Sequence, residues 1–183
     1  DRDEGTLWSR INKQSQNTMR FSDLRLVLGS EYVPLYHPFK AYFYSLPKWQ
    51  EGDADYIKSL ADTVTLTDGS PEARHTFYRC LKKWLVAMVA GFLSDRVNHE
   101  ILVLIGSQGI YKTTWLERLI PPHLRQYCCK LANATQLTKD DRLRIAEFGL
   151  INMDELDAMT PRELNAMKSV ITASDVNERV AYG

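Results

Sequence analysis

The chain lacks a surplus of charge of either sign. Its 183 residues hold 23 Lys plus Arg against 23 Asp plus Glu. No global basic field therefore draws it to nucleic acid, and any such contact has to come from a local patch. Cysteine is scarce: Cys80, Cys128 and Cys129 are the three, with no CxxC among them. The adjacent pair is poorly placed to bridge with itself. A disulfide framework is excluded, and we expect reduced thiols in a cytosolic protein. No apolar run reaches the ~18 residues a membrane span takes, and no signal peptide opens the chain. A cytoplasmic protein with no membrane partner is the expectation. There is no internal repeat and no low-complexity tract. The chain begins at Asp1 without Met and stops at Ala181-Tyr182-Gly183 directly after a structured pattern. Both ends read as cut, and we expect a piece of a longer protein.

What is present is ordinary for a globular domain: 44% apolar and 25% charged residues, enough for one large domain or two small ones. Residues 1–34 read as a linker or arm, polar over 1–20 with Trp8 and Ile11 as isolated anchors. Ser22 is placed to cap a short helix from Asp23 to Leu28 that ends at Gly29. Residues 35–98 read as a helical region. Phe39 to Leu46 is aromatic-rich, and Asp53 to Val64 carries apolar residues at helical spacing. The firmest helix spans Pro71 to Leu93, with Ser70 as its cap and Pro71 in the first turn. Phe77, Leu81, Trp84, Leu85, Met88, Val89, Phe92 and Leu93 recur every three or four residues and mark a core face. Arg74, Arg79, Lys82 and Lys83 line its polar side, either as a solvated face or as a phosphate contact.

Over residues 99–183 the texture changes to short apolar runs alternating with helical patterns, the signature of an α/β unit with a parallel sheet. Ile101 to Ile105 is expected to be a fully buried strand. Lys112 to Ile120 reads as a helix stopped by Pro121-Pro122, and Thr138 to Phe148 as a charged helix. Gly149 to Met153 reads as a second buried strand. Thr160-Pro161-Arg162-Glu163 is a capping box opening a helix to about Ile171, with Leu164, Met167 and Ile171 on one face.

The chemistry lies where the first of these runs ends. Residues 101–115 read ILVLIGSQGIYKTTW, an apolar run, a glycine-bearing turn, then Lys-Thr-Thr at the head of a helix. A phosphate-cradling loop needs glycine where backbone approaches an anion, inward N–H groups, a lysine for the outer phosphates and a hydroxyl for Mg²⁺. Gly106, Gly109, Lys112 and Thr113 fill those places, within a nucleotide-binding stretch that includes Ser107, Gln108, Ile110, Tyr111 and Thr114. The usual pattern has glycine before the lysine, and here that residue is Tyr111. A right-handed backbone at Tyr111 allows the side chain to point away; a positive φ or close backbone contact there would make tyrosine an obstruction. We expect the right-handed form. Downstream, Leu150-Ile151-Asn152-Met153-Asp154-Glu155 reads as a strand ending in two carboxylates. Strand ends in a parallel sheet open onto the edge that carries the phosphate loop. Asp154 is suited to hold the water shell of Mg²⁺, and Glu155 to polarise an attacking water. The stretch from Thr113 to Asp154 has room for a helix, an intervening strand and another helix. Taken alone, the glycines fit a tight turn and the acidic pair fits a helix cap.

Three segments carry a resemblance. GSQGIYKTTW, LINMDELD and MKSVITASDVNERVAYG are similar to the ATPase domain of the virulence-associated protein E (VirE-type) family, as are LPKW (Leu46 to Trp49) and LKKWLVAMVA (Leu81 to Ala90). The likeness covers about residues 35–183. It implies a P-loop NTPase core of the AAA+ class, similar to superfamily 3 and primase-linked helicases of phages, plasmids and integrative elements. ATP and Mg²⁺ would be the cofactors, single-stranded DNA the partner, and a homo-oligomeric ring the working assembly. By the same resemblance Gly106, Gly109, Lys112 and Thr113 match the phosphate loop (Walker A), and Asp154 and Glu155 match the acidic pair (Walker B). Lys168, Thr172, Asp175 and Arg179 match the stretch leading to DNA contacts. Tyr111 departs from the pattern, and the family's polar sensor and following basic segment would lie beyond Gly183, so the core is expected to be C-terminally truncated. Arg179 is open to three roles: a neighbouring subunit's γ-phosphate, DNA, or a pair with Asp175. Lys168 is either a contact or a rim lysine over an apolar stripe. A DNA-stimulated ATPase, a non-motor DNA-binding or scaffolding module with an altered loop, and a kinase all remain readings of these residues.

Overall fold

The structure, a computed structural model, describes residues 2–15, 19–94, 98–131, 138–154, 156, 159–171 and 173. The chain divides into two compact units, Asp1–His37 and Pro38–Gly183.

The first unit is a pair of helices, α1 (Arg2–Ser15) and α2 (Phe21–Leu28). The polar stretch read as a linker or arm thus carries a helix, with Asp3 and Glu4 in its first turn and Lys13 in its last, signs that suit the helix dipole. Trp8 anchors it: its indole Nε1 donates to Met19 O at 2.8 Å, and its ring meets Phe21 edge-on. Glu4 accepts from Arg25 across the pair at 2.9 Å. Ser22 is not the cap of α2. Asp23 and Leu24 N–H groups donate to Arg20 O, so the first turn opens at Arg20 and takes Ser22 into the helix.

In the second unit, α3 (Pro38–Ser45) and α4 (Tyr56–Ala61) pack against the long α5 (Pro71–Leu93). Helix α4 is shorter than its apolar spacing implies, because Asp55 caps it by accepting from Lys58 N at 2.9 Å. Helix α5 opens as expected: Ser70 Oγ accepts from Ala73 N at 3.2 Å, and Pro71 gives up an N–H that has no helical partner there. Its apolar stripe fills two clusters. Leu81 and Trp84 pack with Ala61, joined by Leu102, Trp115, Leu119 and Leu150. Phe92 packs with Phe39, Ile120 and Leu124, again with Leu150 beside them. Leu81 is 0% exposed, a burial that stabilises by about 1.5–3 kcal/mol. On the polar side, Lys83 pairs with Glu100 at 2.6 Å and Lys82 donates to the Tyr78 hydroxyl.

Then come α6 (Lys112–Arg118), a 3₁₀ helix (Pro122–Tyr127), β1 (Cys128–Leu131), α7 (Lys139–Glu147), β2 (Leu150–Met153) and α8 (Pro161–Ile171). This is the helix, strand and helix expected between Thr113 and Asp154. The two strands are parallel, with Cys128 opposite Leu150 and Leu131 opposite Met153. One further bond at each end extends the ladder, Gly149 N to Tyr127 O at 2.9 Å and Asp154 N to Leu131 O at 3.2 Å. Reciprocal capping boxes start α7 (Thr138 with Asp141) and α8 (Thr160 with Glu163). Met167, Leu164 and Ile171 of α8 pack with Met153 and Met159.

Two strand expectations change. Ile101 to Ile105 is not a buried strand: it pairs with no strand among the described residues, and Ile101, Val103 and Ile105 are exposed while Leu102 meets the core. An apolar run becomes a strand only where a neighbour supplies the other half of its hydrogen bonds. Residues Leu150 to Met153 are strand but only half-buried, because the sheet has two strands among the described residues and both are edges. The unit is a mixed α/β fold, rich in helix, around a small parallel sheet.

Candidate functional site

The loop from Gly106 to Tyr111 turns the chain into α6, and two of its residues have positive φ: Gly109 at +84° and Tyr111 at +62°. Gly109 adopts that conformation freely. Tyr111 does not, and the expectation of a right-handed backbone there is wrong. Tyr111 O accepts from Trp115 N at 2.9 Å, so this residue both closes the loop and begins the helix, and the direction change falls on it. A left-handed non-glycine residue costs about 1–2 kcal/mol. Tyr111 is 78% exposed, so its side chain lies largely in solvent. At Gly106 a Cβ would sit 2.6 Å from Ile110 Cδ1, so the bare backbone makes room for the isoleucine folded over it.

Lys112 curls back over this loop. Its Nζ donates to Gly106 O and Ser107 O, each at 2.7 Å. Thr113, one residue on, turns toward the sheet, and its Oγ1 donates to Asp154 Oδ1 at 3.1 Å. Asp154 stands at the end of β2, and its Oδ2 pairs with Lys130 Nζ of β1 at 2.8 Å. The Asp154 carboxyl is held below the ordinary aspartate value, first by the Lys130 hydrogen bond; burial opposes this, and Thr113 and the charge of Lys112 add to it.

The structure therefore brings Lys112, Thr113 and Asp154 to one end of the sheet, beside the loop that carries Gly106, Ser107, Gln108, Gly109, Ile110 and Tyr111. Thr114 is exposed on α6, and Lys168 is exposed on α8. Glu155, Thr172, Asp175 and Arg179 lie outside the described residues. Sequence reasoning missed Lys130. The signal was parallel register: Lys130 is opposite Asn152, two residues before Asp154, and so on the same face. Asn152 itself keeps its Nδ2 buried with no partner.

Among the described residues no group of three His, Cys, Asp or Glu could hold a metal ion. The donors at hand are a hydroxyl and a carboxylate. Such hard oxygens suit Mg²⁺ when a ligand's phosphates and water complete its shell. No helix among the described residues is long and apolar enough to cross a membrane.

No similar curated protein and no similar solved structure was found. The model of the virulence-associated protein E-like domain matches residues 48–183, the greater part of the chain and all of the site, and the chain belongs to that family.

Proposed function

We propose that this chain is the ATP-binding and hydrolysing domain of a mobile-element replication protein, a P-loop NTPase of the AAA+ class acting as a DNA helicase or primase-helicase. The observation that carries the reading is the 3.1 Å hydrogen bond between Thr113 and Asp154. A hydroxyl following the loop lysine and a carboxylate from a strand end meet at the point where a phosphate-bound metal would need both.

Lys112 exchanges partners on binding. Its two acceptors are neutral carbonyls, and a phosphate oxygen is a charged acceptor that makes a bond roughly twice as strong. Thr113 would hold Mg²⁺ directly and Asp154 would hold its water. When bound, the metal neutralises charge on the β and γ phosphates. Glu155 follows Asp154 and is assigned to orient the attacking water. Lys168 and Arg179 are assigned to DNA or to a neighbouring subunit, in a ring acting on single-stranded DNA.

A second reading, a non-motor DNA-binding or scaffolding module, has one observation in its favour: Tyr111 is in a left-handed conformation where the usual loop has glycine. Binding of a fluorescent ADP analogue, together with single-turnover ATP hydrolysis with and without single-stranded DNA, separates the two. The first reading requires binding lost in Lys112→Ala and DNA-stimulated hydrolysis lost in Glu155→Gln with binding kept. DNA binding without turnover in the intact protein supports the second.

A further inference from the structure

Both carboxylate oxygens of Asp154 are engaged by the chain's own groups, Oδ1 by Thr113 and Oδ2 by Lys130. The sheet register makes this so. Lys130 and Asp154 project from one face of the parallel pair, and the Asp154 N–H to Leu131 O bond fixes the carboxylate one step past the ladder. Lys112 is turned to the loop carbonyls, so the ammonium in contact with Asp154 is that of Lys130. The pair is open: the Lys130 side chain is 46% exposed and that of Asp154 36%. Lys130 can therefore swing into water without leaving a buried charge behind, as a compact cation on a flexible stem.

We propose that Lys130 is the resident counter-cation of Asp154, displaced when a divalent metal ion arrives, and that it thereby sets the metal concentration at which the site takes up nucleotide. This rests on the reading of Thr113 and Asp154 as the metal-holding pair. An ammonium on Oδ2 uses acceptor sites that a metal-bound water would need, and its charge repels a divalent ion arriving at the same carboxylate. Metal and lysine compete for one group, so Lys130 is a positioning residue acting through Asp154.

Wild-type protein, Lys130→Met and Lys130→Arg are titrated with Mn²⁺ at a fixed concentration of a fluorescent ADP analogue. Free Mn²⁺ is followed by its paramagnetic resonance signal and nucleotide by anisotropy, with circular dichroism confirming the fold. Lys130→Met is expected to lower the Mn²⁺ midpoint about three- to fivefold, the scale of an exposed ion pair, with nucleotide affinity in the absence of metal unchanged. Lys130→Arg keeps the wild-type midpoint. A midpoint unmoved or raised in Lys130→Met overturns the proposal. So does an equal loss of nucleotide affinity with and without Mn²⁺, which would make Lys130 a phosphate contact. Lys112→Ala tells this failure from failure of the nucleotide reading: a wild type that binds nucleotide, loses it in Lys112→Ala, and shows no shift with Lys130→Met sinks the lysine proposal alone. A wild type that takes up neither nucleotide nor Mn²⁺ sinks both.

Discussion

Gly149 lies directly against Phe39: a Cβ at residue 149 would be 2.5 Å from Phe39 Cε2 and 2.7 Å from Cζ. The Phe39 ring cannot give way easily, because it is stacked on Phe92 at 4.0 Å with 12° between the planes. Gly149 also donates the bond that opens the β1–β2 ladder, so this contact joins the aromatic core to the strand that ends in Asp154. Gly149→Ala is expected to destabilise by about 1–3 kcal/mol, as overpacking of a filled core does. Gly69→Ala, where an added Cβ meets nothing within 4 Å, is the control and should cost little. Urea midpoints of the two variants check this, and equal midpoints would count against the packing account.

Tyr111 holds a backbone conformation that its side chain opposes, with φ at +62°. Tyr111→Gly removes the steric cost of about 1–2 kcal/mol and adds back part of it as chain entropy in the unfolded state. The net expectation is a gain of about 0.5–1 kcal/mol. Tyr111→Val should go the other way, since a β-branched residue is poorly tolerated at positive φ. Tyr111 is largely exposed, so either change forfeits little burial. Thermal unfolding of the two variants gives the order Gly above wild type above Val; any other order would show that the left-handed turn is not what residue 111 contributes.

Much of the helical structure was legible because its signals are local. Ser70-Pro71 and Thr160 with Glu163 each state a helix start within four residues, and both caps are formed. The strands were less legible because a strand is a relation between distant segments. Ile101 to Ile105 has the apolar run of a buried strand but no partner among the described residues. Cys128 to Leu131 was expected only as an unplaced intervening strand, since Cys-Cys-Lys-Leu lacks the β-branched and aromatic residues that mark one. At the site, the types and order of Lys112, Thr113 and Asp154 were readable, whereas the backbone at Tyr111 is decided by loop closure and the Lys130 contact by strand register. Neither is written in a motif.

The ion pair at the sheet end, Lys130 with Asp154, carries a pH dependence whose direction follows from Asp154. Folding holds this carboxyl below its ordinary value of 3.8, chiefly through Lys130 and against the effect of burial. The native state thus prefers the ionised form, and the contribution is present in full above the unfolded value and is lost as pH falls through the folded one. Asp141 behaves alike, lowered first by the Thr138 hydroxyl, so an acid limb remains when Asp154 is removed. Wild-type stability from urea melts should be nearly level down to about pH 5 and fall below about pH 4. Asp154→Asn should start lower at neutral pH and fall less steeply in acid. Lys130→Met should do the same, because without its ammonium the Asp154 carboxyl rises toward its ordinary value while Thr113 still donates to it. Curves for these two variants that run parallel to wild type through the acid limb would mean that the Asp154 pair contributes no proton-linked stability, and that the contact between the two strands is held by the ladder alone.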